Sequence, residues 1–197
     1  MDVIEDCSEH NMVGAFLQGE IESRRYKHHI LNKLAADGTA RAVVDSPDFT
    51  NRTDNEYRRQ LLAYRGYLDG TYLFTGFAKD WHWRRTELHA ADMEKVKYGK
   101  FAAWSEFSEG TRLVARGANN FALGRIADET LHDIFGTIRK MLDGIYVAPV
   151  ILIGTALDDA LVVFEGHVRM TTYVLTGRAR VAAIVGTSAS APNWYAY

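Results

Sequence analysis

The stretch Leu161-Val162-Val163-Phe164-Glu165-Gly166-His167-Val168-Arg169-Met170-Thr171-Thr172-Tyr173-Val174-Leu175 decides the fold of this chain. A short apolar run ends in a carboxylate and a glycine, and the chain turns at once into a helix that Gly177 closes. The first amides of a helix have no partner within it, and the helix dipole concentrates positive potential there. A strand, glycine, helix turn that also holds a histidine and an arginine is therefore suited to seat a phosphate or another anion. A plain strand-to-helix turn, its polar residues serving only as caps, is the competing reading.

Working outward, the last third reads as layered α/β material: a strand over 147–153, a turn over 154–160 around Asp158 and Asp159, a strand over 161–165, a helix over 167–176 and a strand over 179–186. Upstream, Asp128 is expected to cap a helix over 129–143. Trp81 to Leu88 alternates large and polar side chains as a strand does, and Ala90 to Lys95 reads as a short helix. Residues 98–112 are ambiguous between helix and aromatic loop, and 117–124, with its terminal glycines, reads as a loop. Earlier still, 20–36 has helical spacing closed by Asp37-Gly38, and Thr53 or Asp54 starts a second helix running through Arg65. The glycine-rich, aromatic stretch 68–80 reads as a loop. Residues 1–18 read as a loosely held arm, and the aromatic tail with Trp194, Tyr195 and Tyr197 is expected to pack back on the body.

The run from Pro149 to Ile153, the turn after it, and Leu161 to Tyr173 resemble the core of the ParB-like/sulfiredoxin superfamily, in which an apolar strand leads into Gly, one or two polar residues, Arg and a helix. The helix ending at Leu142, Asp143-Gly144, and the entry Ile145 to Pro149 are similar as well. The likeness spans about 82–188, most strongly 127–188. It implies an α/β (α+β) fold with a small mixed sheet and packed helices, in a domain over 82–197 preceded by an N-terminal arm and helical extension over 1–81. It also implies nucleotide or phosphoryl binding at the turn. Two departures narrow this. Sulfiredoxins place a reactive cysteine beside the motif arginine, whereas this chain has Glu165-Gly166-His167-Val168-Arg169 there and its single cysteine, Cys7, far away. Partition proteins carry an arginine pair and a following helix-turn-helix; here Val168 breaks the pair. The kinase-like and uncharacterised members remain the nearest match.

The expected phosphate ligands are the backbone of Gly166, His167 and Val168 with the Arg169 guanidinium, which can grip two oxygens at once. Thr171 and Arg112 are further candidates. His167 could donate to phosphate or move a proton. A carboxylate at Glu165 would repel phosphate unless it held a metal ion or accepted a proton, so Glu165 is the candidate Mg²⁺ ligand. The resemblance to kinase-like members implies an acidic base in an earlier segment, and Glu106 or Glu109 occupies that rough position. The expected activity is nucleotide binding (ADP, ATP or CTP, with Mg²⁺ as a further cofactor) serving phosphoryl transfer to an unknown acceptor or nucleotide hydrolysis. A non-catalytic nucleotide-sensing or interaction module and a ParB-like nuclease are the alternatives.

At 197 residues the chain can bury one good core. A net charge of −2 offers no general attraction to nucleic acid. A nuclease would need Arg84, Arg85, Lys95, Lys97, Lys100, Arg112 and Arg116 on one face. A lone cysteine forms no internal disulfide, no apolar stretch approaches the roughly 20 residues that span a bilayer, and the acidic start is unlike a signal peptide. A cytoplasmic protein without membrane contact is expected. Walker-type lysine loops, paired Cys/His zinc spacings and Gly-x-Ser-x-Gly elbows are missing from the sequence, which disfavours those mechanisms.

Overall fold

The computed structural model describes residues 1–125 and 128–197, and from 128 to 131 the backbone alone. The expected cap at Asp128 thus lies outside the described side chains. Its strands are β1 (Asp2–Cys7), β2 (His82–His89), β3 (Val150–Gly154), β4 (Val162–Glu165) and β5 (Arg180–Thr187). They form one mixed sheet in the order β1-β2-β5-β3-β4, in which β3 and β5 run parallel and the other neighbours antiparallel. The helices are α1 (Glu9–Glu20), α2 (Lys27–Ala36), α3 (Ala42–Asp45), α4 (Arg52–Leu61), α5 (Ala90–Met93), α6 (Ala102–Phe107), α7 (Val114–Ala122), α8 (Asp128–Leu142) and α9 (His167–Leu175). The mixed α/β architecture matches the class expected from the sequence.

Strand β3 explains why the C-terminal third is so apolar. Successive side chains of a strand point to opposite faces, and here both faces are covered. Ile151 and Ile153 join Val162, Phe164 and Ile184 in a core completed by α1, α2, the aromatics Phe74 and Trp83, and Trp194. Val150 and Leu152 join Val163, Val181, Val185 and Met170 on the other face, under Tyr98 and Val114.

The amino-terminal residues correct the expectation of a loose arm. Strand β1 pairs with β2 at the sheet edge, and α1 lies against the core with Met12, Phe16 and Leu17 fully buried. One apolar cluster therefore contains residues from both sides of the 81/82 boundary. The expected helix over 20–36 is divided: α1 ends at Glu20 and α2 begins at Lys27. Asn51, rather than Thr53 or Asp54, caps α4 by accepting the Asp54 amide at 3.1 Å. The segment 117–124, expected as a loop, lies largely in α7, because Gly117 and Ala118 are buried against neighbouring side chains and the Asn120 amide donates to Phe107 O at 2.8 Å. The aromatic tail folds back as expected, with Trp194 buried and its indole N–H donating to Leu73 O at 2.7 Å. Among the described residues no helix is long and apolar enough to cross a membrane.

Candidate functional site

Strand β4 delivers Glu165 to the start of α9, and Gly166 makes the turn between them with φ 97°. Only glycine takes that conformation without strain. A Cβ here would also lie 3.1 Å from both Arg169 Nη2 and Val150 Cγ1. The first bond within α9 runs from Met170 N to Gly166 O at 2.8 Å. Among the described residues no hydrogen bond engages the amides of His167, Val168 and Arg169, so the positive end of this helix keeps its donors.

The side chains of the turn are arranged differently from expectation. Arg169 Nη1 donates to Ala148 O at 2.8 Å and to Pro149 O at 2.9 Å, while Nη2 donates to Glu165 Oε1 at 2.9 Å. Its guanidinium is 11% exposed and lies under Gly19, where a Cβ would stand 2.5 Å from Nη2. Arg169 is therefore not the open phosphate clamp that the sequence suggested; its fork closes the entry to β3 onto the turn. The physical reason is that the unpaired carbonyls before β3 need donors, and a planar guanidinium satisfies two at once.

His167 is enclosed by aromatic rings, with Trp104 stacked at 5.3 Å, Tyr98 stacked at 6.0 Å and Phe101 edge-on at 5.4 Å. Its Nε2 accepts the Gly99 amide at 3.2 Å. Burial, followed by the cations Arg169, Arg25, Arg65 and Arg112, pushes its pKa down to about 3. The ring is thus neutral, with its proton on Nδ1. Its Nε2 serves as an acceptor that holds Gly99, where the sequence suggested a donor to phosphate or a carrier of protons.

Thr171 and Arg112 are corrected as well. Thr171 is fully buried, donating to His167 O at 2.8 Å and sharing a 2.7 Å hydrogen bond with the Tyr98 hydroxyl, so it offers nothing to a ligand. Arg112 donates to Tyr98 O at 2.7 and 2.9 Å and to Tyr197 O at 3.1 Å, tying two chain segments together. Glu106 lies exposed on α6. Glu109, its expected alternative, pairs with Arg116 and Arg125, and those contacts hold its carboxyl below the usual range. Glu165 is bound to Arg169 and belongs to no group of three closely spaced metal donors among the described residues. Of the basic residues that a nuclease would need, Arg84 pairs with Asp6, Arg85 with Glu5 and Arg116 with Glu109, which occupies them along different elements.

A group the sequence reading did not single out stands beside the turn. Glu20, the last residue of α1, is 3% exposed. It accepts the Tyr64 hydroxyl at 2.6 Å and lies 3.7 Å from Arg65 Nε. Burial raises its pKa to about 7, aided by the charge of Glu165 and opposed by Arg65, the Tyr64 hydrogen bond and Arg169. Two carboxyl groups thus share a site with two guanidinium groups, and Glu20 can hold or release a proton near neutrality. Arg65 stacks over Tyr26 at 4.2 Å, and its Nε is covered without a hydrogen-bond partner. Arg25 is exposed beside the same tyrosine at 5.7 Å. No local sequence signal marks Glu20, since its partners Tyr64 and Arg65 lie more than forty residues further along the chain and meet it only through the fold.

Among the described residues one cleft of about 250 Å³ lies between α8, α9 and β5, lined by residues such as Met141, Tyr173 and Arg178, and another of the same volume lies between α8 and the end of α9, lined by residues such as Ile138 and Thr176; neither includes residues 165–169. Comparison of the chain with family models, with curated proteins and with solved structures finds no match in any of the three.

Proposed function

We propose that the amino end of α9 binds the phosphates of a nucleotide. The observation that carries this reading is a set of unengaged amides at 167–169, placed where Arg25, Arg65, Arg112 and Arg169 all act on the His167 ring. The ligands differ from those first expected: the amides and the cations Arg25 and Arg65 meet the anion, while Arg169 positions the turn. Phosphoryl transfer or nucleotide hydrolysis is the activity such a site would serve. Glu20, whose proton is exchangeable near neutral pH, then takes the acid/base role first sought at Glu106. ADP, ATP and CTP, with Mg²⁺ supplied alongside the phosphates, are the cofactors to test.

A second reading, nucleotide sensing without turnover, is favoured by the fact that the Arg169 guanidinium nitrogens Nη1 and Nη2 and the His167 Nε2 are already engaged by the protein and so are not available to follow a transferring group. Thermal denaturation with ADP, ATP, CTP, GTP and inorganic phosphate, with and without Mg²⁺, tests the binding. One nucleotide is expected to raise Tm by roughly 5 °C at about 100 times its Kd, and Arg25→Ala combined with Arg65→Ala to abolish the rise. No shift with any of these anions, or an unchanged shift in the double variant, would discard the site. Phosphate release by the stabilised complex separates catalysis from sensing, and stabilisation by oligonucleotides alone would point to nucleic acid.

A further inference from the structure

Far from the turn, at the exposed edge of the sheet, a second constellation has the chemistry of a metal site. In the register of β1 and β2, Asp2 stands directly opposite Glu87. His89 is two residues further along β2, on the same face as Glu87. Carboxylates facing each other across a strand pair repel, so a cation nearby favours the register. Arg180 supplies one, its Nη1 lying 2.6 Å from Glu87 Oε1.

Ligand-capable atoms of Asp2, Glu87 and His89 all lie within 4.8 Å of one another. His89 Nε2 is 3.0 Å from Asp2 Oδ2, yet this nitrogen is covered from solvent and makes no hydrogen bond of acceptable geometry. The His89 side chain is 38% exposed and Asp2 is more open still, so an ion arriving from solvent can reach one nitrogen and two carboxylate donors together. The backbone beneath it is fixed, because the His89 amide donates to Asp92 Oδ2 at 2.8 Å.

We propose that Asp2, Glu87 and His89 form a binding site for a divalent transition cation that fastens the edge strand β1 to β2. One imidazole nitrogen and two carboxylate oxygens suit Zn²⁺ or Mn²⁺ better than Mg²⁺, which prefers oxygen and gives up its water reluctantly. Three protein ligands leave the remaining positions to water. The site is independent of the phosphate reading, since it shares no residue with the β4–α9 turn or the Glu20 cluster.

The test is titration of the tag-free, full-length protein with ZnCl₂, MnCl₂ and MgCl₂, followed by calorimetry and thermal denaturation. Zn²⁺ is expected to raise Tm by roughly 5 °C at about 100 times its Kd, with Mg²⁺ giving no rise at the same concentration. His89→Ala and Glu87→Gln should each weaken binding by at least about tenfold. Arg180→Ala should tighten it by freeing Glu87, and Cys7→Ser should leave it unchanged. Visible absorption of the Co²⁺-loaded protein gives a reading from the parent that does not depend on whether a variant folds: a histidine-ligated spectrum supports the site, and the spectrum of hexa-aqua Co²⁺ overturns it. Zn²⁺ binding that survives His89→Ala, or is lost in Cys7→Ser, overturns it too.

Discussion

Two pairs of glutamates, one enclosed at the β4–α9 turn and one in solvent on and after α6, each include a carboxyl shifted from its ordinary range, in opposite directions. Glu20 and Glu165 are enclosed with Tyr64, Arg65 and Arg169. Glu106 and Glu109 lie in solvent on and just after α6, where Glu109 meets Arg116 and Arg125. Both pairs have basic neighbours, yet the Glu20 carboxyl is pushed up to about 7 while that of Glu109 is held low. The difference lies in the medium. In solvent, water keeps the charged form cheap and any nearby cation lowers the pKa further. In the enclosed pair, loss of hydration and a second carboxylate outweigh two guanidinium groups. Proton exchange near neutrality is therefore expected of Glu20 rather than of Glu109, and an acidic residue's sequence neighbourhood does not reveal it.

The largest expected effect comes from removing the cation that both enclosed carboxylates share. Arg169→Met deletes the pair with Glu165 and three donated hydrogen bonds, leaving the carbonyls of Ala148 and Pro149 without their donor. Breaking one side of a buried ion pair costs about 4 kcal/mol. Urea denaturation should register a loss of that order, and Glu20 should titrate higher than in the parent because Arg169 now lowers its pKa. A loss under about 1 kcal/mol would mean that water enters the cluster and that its enclosure is nominal.

A smaller effect isolates Glu20. Its folded pKa, about 7, stands above the ordinary 4.5. The folded state therefore binds the proton more tightly than the unfolded chain, and the associated stability is fully present below about pH 4.5 and lost as pH rises through 7. The shift corresponds to about 3 kcal/mol. Urea denaturation between pH 5 and 8 should show the parent losing stability with rising pH, and Glu20→Gln, neutral throughout, should lack that component of the slope. Parallel profiles for parent and variant would assign the slope to other groups and remove Glu20 from the proton-exchanging role.

How much of this was legible follows from where each signal lies. The elements of the last third came within a few residues of their observed limits because both faces of β3 and β4 are covered, which makes their apolar runs continuous and their punctuation by Gly166 and Gly177 sharp. Strand β1 was missed because it is an edge strand with Val3 and Ile4 exposed, so burial left no alternation to read. Helix α1 was missed for the opposite reason: Met12 to Leu17 is buried in a continuous run, and no polar face marks the helical period. At the site, the turn and its open amides follow from local sequence. The fate of Arg169 does not, since its carbonyl partners lie about twenty residues upstream and Gly19, which covers it, lies in α1. Glu20 joins Tyr64 and Glu165 only through the tertiary fold.

The smallest expected effect sharpens the comparison from its exposed side. Glu109→Gln removes the carboxylate that Arg116 and Arg125 share, yet all three side chains are at least 40% exposed. Solvated ion pairs gain little over their hydrated components, and salt screens what remains. The denaturation midpoint should stay within the scatter of the measurement at physiological ionic strength, and the pH profile between 5 and 8 should overlay that of the parent. Phosphate release, if the nucleotide complex turns over, should be unchanged in this variant and reduced in Glu20→Gln. The opposite ranking, with Glu109 governing turnover and Glu20 silent, would return the proton-accepting role to the exposed glutamates on and after α6, where the sequence first placed it, and leave the enclosed cluster as a clasp between α1 and the sheet.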